Sequence, residues 1–291
     1  MLRIDKCLSE NYGELSRAYI QRLIKDSLVS INGKKCKASS IVKEGDEVRF
    51  SVYDAVIPKI VPEDIELDIL YEDTDVIVVN KPKGMVVHPA PGHYSGTLVN
   101  ALMFHCRDLS GINGVLRPGI VHRIDRDTTG AIIACKNDRA HESIAKQLKE
   151  HSIDREYIAI VHGNIKEDRG TVSAPIGRDR KDRKRMAVDP AGGREAVTHY
   201  EVIERFGDYT YIRCILETGR THQIRVHMAS ISHPLLGDAL YSGHRSPYNL
   251  QGQTLHARIL GFEHPVTGER IITEAPVPEY FSHLLDILGK G

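Results

Sequence analysis

A chain of 291 residues with 41% hydrophobic and 27% charged side chains is an ordinary globular protein, long enough for a large domain and a small partner. That excludes a disordered tail, a collagen-like repeat and a disulfide scaffold. Its 39 basic and 39 acidic residues cancel, so bulk charge argues against a nucleic-acid partner.

No apolar run is long enough to span a membrane, and the first residues lack the apolar core of a secretion signal, so a soluble, cytoplasmic protein without membrane contact is expected. Cys7, Cys36, Cys106, Cys135 and Cys214 are scattered and odd in number, which suits neither a disulfide framework nor a zinc site. The pairs His88/His93 and His222/His227 are five apart, a poor match to one helix face, and no metal is expected.

Residues 1–52 read as a compact unit. In LSRAYIQRLIKDSLVSINGKK, Ser16 caps a helix whose apolar positions are Ile20, Leu23 and Ile24, and Leu15 with Ile20 forms a hydrophobic staple. Asn32-Gly33 predicts a β-hairpin, and GDEVRFSV a closing strand. Ten basic against seven acidic residues over positions 1–50 give a mild local excess. RIDKCL, the helix with its hairpin, and GDEV resemble the small S-four RNA-binding domain of a ribosomal protein. That resemblance implies phosphate contacts from Arg17, Gln21, Arg22, Lys25, Lys34 and Lys35.

Residues 53–66 carry two prolines and no sustained period, as a linker does. From residue 67 to 291 extended segments at 75–80, 130–136, 156–163, 197–205 and 209–217 outnumber helical patterns such as 141–151 and do not alternate with them. The fold class expected is α+β, with a mainly antiparallel extended sheet and flanking helices.

Two clusters carry chemistry. In GIVHRIDRDTTGAIIACK (119–136), an extended HRID puts Arg123, Asp125 and Asp127 on one side and His122, Ile124 and Arg126 on the other. Carboxylates beside guanidiniums read either as a surface ion-pair lattice or as an ionised nucleophile or base. In ETGRTHQIRVHMASISHPLLGD (217–238), Thr221 is the expected cap of a helix with Ile224, Met228 and Ile231 on its apolar face. Arg220, His222 and Arg225 lie off that stripe near the helix start, where a phosphate or carboxylate such as Asp125 fits. The run RDRKDRKR (178–185), six basic and two acidic, reads as a phosphate-contacting or a solvated loop. KPKG (81–84) reads as a structural turn from which Lys81 or Lys83 touches RNA backbone.

The motifs NKPKGMVVHP (80–89), HRIDRDTTGAIIACK (122–136), REYIAIVHG (155–163) and TGRTHQIRVHMA (218–229) occur in the order found in pseudouridine synthases of the RluA type. The resemblance runs from about residue 66 to 280. With an S-four domain in front, the arrangement is that of the RluD-like subgroup that modifies large-subunit ribosomal RNA. Ile124 stands where the family usually has Leu, and Thr129 where it often has Ser.

This resemblance implies isomerisation of uridine without a cofactor by a monomer acting on ribosomal RNA. It further implies Asp125 as the acting carboxylate, Arg225 as its partner, Tyr157 stacked on the target base and available to remove the carbon-bound proton, and Arg123 filling the space the flipped base leaves. Attack on the sugar, attack on the ring and assisted elimination all suit Asp125. Two other readings compete: a catalytically silent ribosomal-RNA binding or assembly factor, and a hydrolase using Asp125 with Asp127.

Overall fold

A computed structural model describes residues 2–13, 15–52, 60–90, 92–106, 108–112, 117–243 and 246–290. The chain divides into two compact units, residues 1–57 and 58–291.

The smaller unit runs β1 (Leu2–Arg3), α1 (Ile4–Asn11), α2 (Arg17–Lys25), β2 (Val29–Ile31), β3 (Lys34–Lys35), β4 (Ile41–Val42) and β5 (Val48–Phe50). The Ser16 side chain accepts the Tyr19 N–H at 3.2 Å, so α2 starts where the sequence caps it. Ile20, Leu23 and Ile24 are buried with Ile4, Leu8 and Val29, and Leu15 packs against them. Asn32 and Gly33 both take positive φ, 50° and 74°, the two-residue turn whose twist matches the β2–β3 hairpin. β5 pairs with the other edge of β2.

Asp5 on α1 is wholly buried, and its carboxylate accepts from Arg3 (3.1 and 3.1 Å), Arg17 (3.0 Å) and Gln21 (2.9 Å). Burial opposes its charge, and the bonds from Gln21, Arg3 and Arg17 more than offset that, holding the carboxyl at about 2. Because the folded value lies below the unfolded one, the carboxylate's contribution is fully present above about pH 4 and is lost as pH falls toward 2. Acid titration followed by circular dichroism should therefore cost this unit ~2 kcal/mol across that window, and Asp5→Asn should remove that share of the dependence.

Residues 60–66, read as part of a linker, are docked on the larger unit. Ile60 is buried with the core residues of that unit, the Glu63 N–H donates to the Asn100 carbonyl at 3.0 Å, and the Asn100 side chain donates to the Val61 carbonyl at 2.8 Å.

The larger unit contains β6 (Ile69–Glu72), β7 (Val76–Lys81), α3 (Leu98–His105), β8 (Thr129–Cys135), α4 (Asp138–Lys149), β9 (Asp154–His162), β10 (Arg169–Ser173), β11 (Ile176–Arg178), β12 (Met186–Val188), β13 (Val197–Arg205), β14 (Tyr209–Leu216), α5 (Gln223–Ser230), β15 (Leu255–Glu263), β16 (Arg270–Glu274) and α6 (Glu279–Leu288). Nine strands form one sheet in the order β10-β13-β14-β9-β15-β8-β7-β6, with β16 on β15, and every pairing is antiparallel except β15 with β8. β11 and β12 make a separate hairpin. The fold is α+β with a mainly antiparallel sheet.

Strand alternation sorts the core onto both faces of the sheet. On β7, Ile77 and Val79 pack with α3, while Val76 and Val78 pack with α4. On β9, Tyr157, Ala159 and Val161 pack under α5, while Ile158 and Ile160 pack under α6. The parallel contact between β8 and β15 needs Gly130, at φ 108°, because a Cβ there would sit 2.1 Å from the Ala257 carbonyl oxygen. That crossing anchors the loop just before β8. No helix among the described residues is long and apolar enough to cross a membrane.

Candidate active site

The loop 121–128 enters β8 without regular structure. The expected alternation stops after HRID: the Thr128 N–H donates to the Asp125 carbonyl at 3.1 Å, and this turn lets Arg126 pair with its neighbour Asp127 at 3.0 Å. Asp127 is thus tied to Arg126. Two donors hold the loop from beneath, since the Lys81 ammonium and the Gly84 N–H both reach the Arg126 carbonyl, at 2.9 and 3.0 Å. Lys81 is wholly buried and also donates to the carbonyls of Pro82 and Met85, at 2.8 Å each. It cannot touch RNA as the sequence suggested. Lys83 is occupied as well, lying 3.9 Å from the Tyr280 ring centroid and donating to the Gln253 carbonyl at 3.2 Å.

Helix α5 brings Arg225 to this loop. The expected Thr221 cap is not used; His222 stands at the cap position in the left-handed region, φ 57°, with no side-chain cap bond. The helix start is secured instead by Gln223, whose amide donates to the Val197 carbonyl at 2.9 Å and to Thr198 at 3.0 Å, and whose oxygen accepts the Arg220 N–H at 2.9 Å. Ile224 and Met228 enter the core as expected, but Val226 and His227 on the opposite face are buried too. His227 bonds Thr198 and the Ala174 carbonyl, at 2.9 Å each.

Arg225 lies between two carboxylates. Asp238, wholly buried at its side chain, accepts from it in two places, at 2.6 and 3.0 Å, and Asp125 Oδ2 accepts its remaining arm at 2.9 Å. Burial works against the guanidinium's charge, and Asp238 and Asp125 together raise its pKa despite that. Asp238 therefore aims Arg225, and one negative charge remains over the three groups. Among the described residues Asp125 Oδ1 accepts no hydrogen bond; His222 Nε2 lies 3.9 Å from it.

The free face of Asp125 opens on a cleft of about 740 Å³ also lined by Tyr157, Arg123, Arg220, Arg155, Arg117, Arg194 and Lys149. A volume of this size takes a nucleotide, and one carboxylate among so many cations selects a polyanion. Tyr157 and Arg155, two apart on β9, share the cleft face. Burial raises the Tyr157 hydroxyl, with Arg155 opposing and Asp125 adding to the rise, so the ring is a neutral phenol suited to stacking. Arg123 is exposed and donates to Thr221 at 3.1 Å, while Arg220 donates to the Glu195 carbonyl at 2.8 Å. The structure thus gathers Asp125, Tyr157, Arg225, Arg123, Arg220 and His222 in one place. In the smaller unit Arg22, Lys25, Lys34 and Lys35 are exposed, whereas Arg17 and Gln21 spend hydrogen bonds on Asp5.

Asp238, Tyr241, Gln223, His227 and Arg155 were not picked out by sequence reasoning. Arg155 had a signal, its two-residue spacing from Tyr157 on a strand. Asp238 had only a Gly-Asp pair after an apolar run.

Comparison with known proteins identifies the family. Residues 75–230 match the family model described as RNA pseudouridylate synthase, and residues 2–48 match the S4 domain. The uncharacterized RNA pseudouridine synthase YlyB of Bacillus subtilis is 54% identical, over 99% of this chain and 95% of that protein. The ribosomal large subunit pseudouridine synthase D of Pseudomonas aeruginosa is 43% identical, over 99% of this chain and 92% of that one. Among solved structures, human RNA pseudouridylate synthase domain containing 1 superposes with a TM-score of 0.61 at 25% identity, covering 79% of this chain and 97% of that chain. A basic cleft around an arginine-held aspartate, joined to an S4 domain and aligned over its whole length with such enzymes, has one origin: the chain belongs to the RNA pseudouridylate synthase family.

Proposed function

We propose that the chain isomerises uridines in large-subunit ribosomal RNA, with Asp125 as the acting carboxylate, Arg225 as its partner and Tyr157 as the platform for the target base. The observation that carries this reading is the Asp125–Arg225–Asp238 array, which leaves one carboxylate oxygen open to a nucleotide-sized basic cleft. Uridine and pseudouridine contain the same atoms. The bond from N1 to C1′ breaks, the uracil turns, C5 bonds to C1′, a proton leaves C5 and one reaches N1. Nothing is oxidised or lost, and side chains alone supply the steps. Asp125 Oδ1 meets the nucleotide, Tyr157 holds the turning ring by stacking, and Arg123 at the rim fills the gap left in the RNA stack.

RNA carrying tritium at uridine C5 tests the reading. The wild type is expected to release label without freeing uracil. Free uracil would favour a hydrolase, and tight binding without release the silent binding factor. The names of relatives such as the Pseudomonas enzyme support large-subunit RNA as substrate, and the S4 domain supports a second grip on structured RNA. Replacing Arg22, Lys25, Lys34 and Lys35 together by Gln should weaken binding and flatten the slope of log affinity against log salt by about 3, leaving the rate on saturating RNA unchanged. Filter binding at several salt concentrations reads the slope.

A further inference from the structure

Tyr241 lies where three parts of the larger unit meet. Its hydroxyl oxygen accepts the Met186 N–H at 2.9 Å, at the start of β12, and lies 2.8 Å from His222 Nδ1. The ring is 5.0 Å from the Arg225 guanidinium and 5.2 Å from that of Arg185. Its own N–H, with that of Leu240, donates to Asp238, at 3.2 and 3.0 Å. The β11–β12 hairpin carries the basic run at its tip, where Arg178, Arg180, Lys181, Arg183 and Lys184 are exposed. The one residue thus touches the hairpin and Arg225 through its side chain and Asp238 through its backbone N–H.

Hydrogen-bond accounting fixes the direction of this chain. With its oxygen taking the Met186 N–H, the Tyr241 proton has one acceptor within reach among the described residues, His222 Nδ1. The proton of the neutral imidazole then sits on Nε2, the nitrogen 3.9 Å from Asp125 Oδ1. Burial, which lowers the His222 pKa, keeps the ring neutral against the pull of Asp125, with Arg225, Asp238 and Arg123 also facing it. The left-handed backbone of His222, φ 57°, holds the ring between Tyr241 and Asp125 rather than letting it cap α5.

We propose that Tyr241 and His222 are positioning residues that link the basic β11–β12 hairpin to the active carboxylate: seating the hairpin on RNA sets the Tyr241 hydroxyl, which holds His222 with its Nε2–H toward Asp125. This rests on the proposed role of Asp125. It adds a coupling between phosphate contact at the hairpin and chemistry at the cleft.

The test combines spectroscopy with kinetics on the full chain. In ¹⁵N-histidine spectra, with the His222→Asn variant identifying the signal, wild-type His222 should carry its proton on Nε2 alone, and Tyr241→Phe should give a mixture of tautomers. Tyr241→Phe keeps the ring and its arginine contacts, so kcat should fall on the order of tenfold while KM for RNA moves less than about twofold. His222→Asn, tolerated at a left-handed position, should show the same split, and the double variant should lose no more than the worse single one. A wild-type proton on Nδ1, a Tyr241→Phe kcat equal to wild type, or a loss confined to KM would each overturn the coupling. A fully active Asp125→Asn would instead sink the assignment of the carboxylate, and the tautomer result would still be read independently.

Discussion

Asp125→Asn should stop isomerisation, lowering single-turnover tritium release by at least about a thousandfold while RNA affinity stays within a fewfold of wild type. The amide fills the same space, and its oxygen can still accept from Arg225, so the 2.9 Å contact survives. What is lost is the negative oxygen facing the cleft. The matched variant Asp127→Asn should keep most of the activity, because Asp127 is paired with Arg126 and does not line the cleft on which Asp125 opens. The reverse pattern would move the chemistry to Asp127. Single-turnover rates on one RNA distinguish the two.

Asp238→Ala should be nearly as damaging, by a different route. Asp238 gives Arg225 two of its three carboxylate bonds and is itself wholly buried. Without it the guanidinium remains in a dry site with a single partner, and breaking a buried pair in this way costs about 3–5 kcal/mol of stability. Arg225 is then free to close on Asp125 with both arms and neutralise the oxygen that the reaction needs. Thermal unfolding should show the stability loss, and the surviving folded protein should turn over on the order of a hundredfold more slowly. Asp238→Asn, which keeps an acceptor for one of the two bonds, should fall between the wild type and Asp238→Ala in both measurements.

How much of this could be read from the sequence depended on periodicity. β7, β8, β9, β13 and β14 carry runs of Val, Ile, Tyr and Thr, and the structure places them within one or two residues of the expected spans. Ser16 and Asn32-Gly33 were legible because a cap and a tight turn need those residue types in those places. β15, β16 and α3 went unread, since short apolar stretches without a clear period do not declare themselves; α6 went unread although Phe281, Leu284 and Leu288 keep a helical spacing. The site was legible as motifs and less so as geometry. Alternation carried past HRID would set Asp127 beside Asp125, but the Asp125–Thr128 turn ends it there, and Thr221 lost the cap to His222 because Gln223 ties the helix start to β13. Lys81 was misread since nothing local reveals that its ammonium is buried among three carbonyls. Asp238, a lone carboxylate in an irregular stretch, gains its meaning only when the fold sets it behind Arg225.

Charge is the other lesson. Equal numbers of acids and bases concealed a cleft where Arg117, Arg123, Arg155, Arg194, Arg220 and Lys149 surround one aspartate. The acidic residues that balance the count lie elsewhere in the chain, so a sum over the sequence had no bearing on the potential at the site.

The most direct measurement is a map of pseudouridines in large-subunit ribosomal RNA from cells lacking this protein, and from the same cells given back either the wild type or Asp125→Asn. The account predicts that defined sites revert to uridine in the deletion, return with the wild type and stay absent with Asp125→Asn. Unchanged ribosomal RNA in the deletion, or restoration by Asp125→Asn, would contradict it.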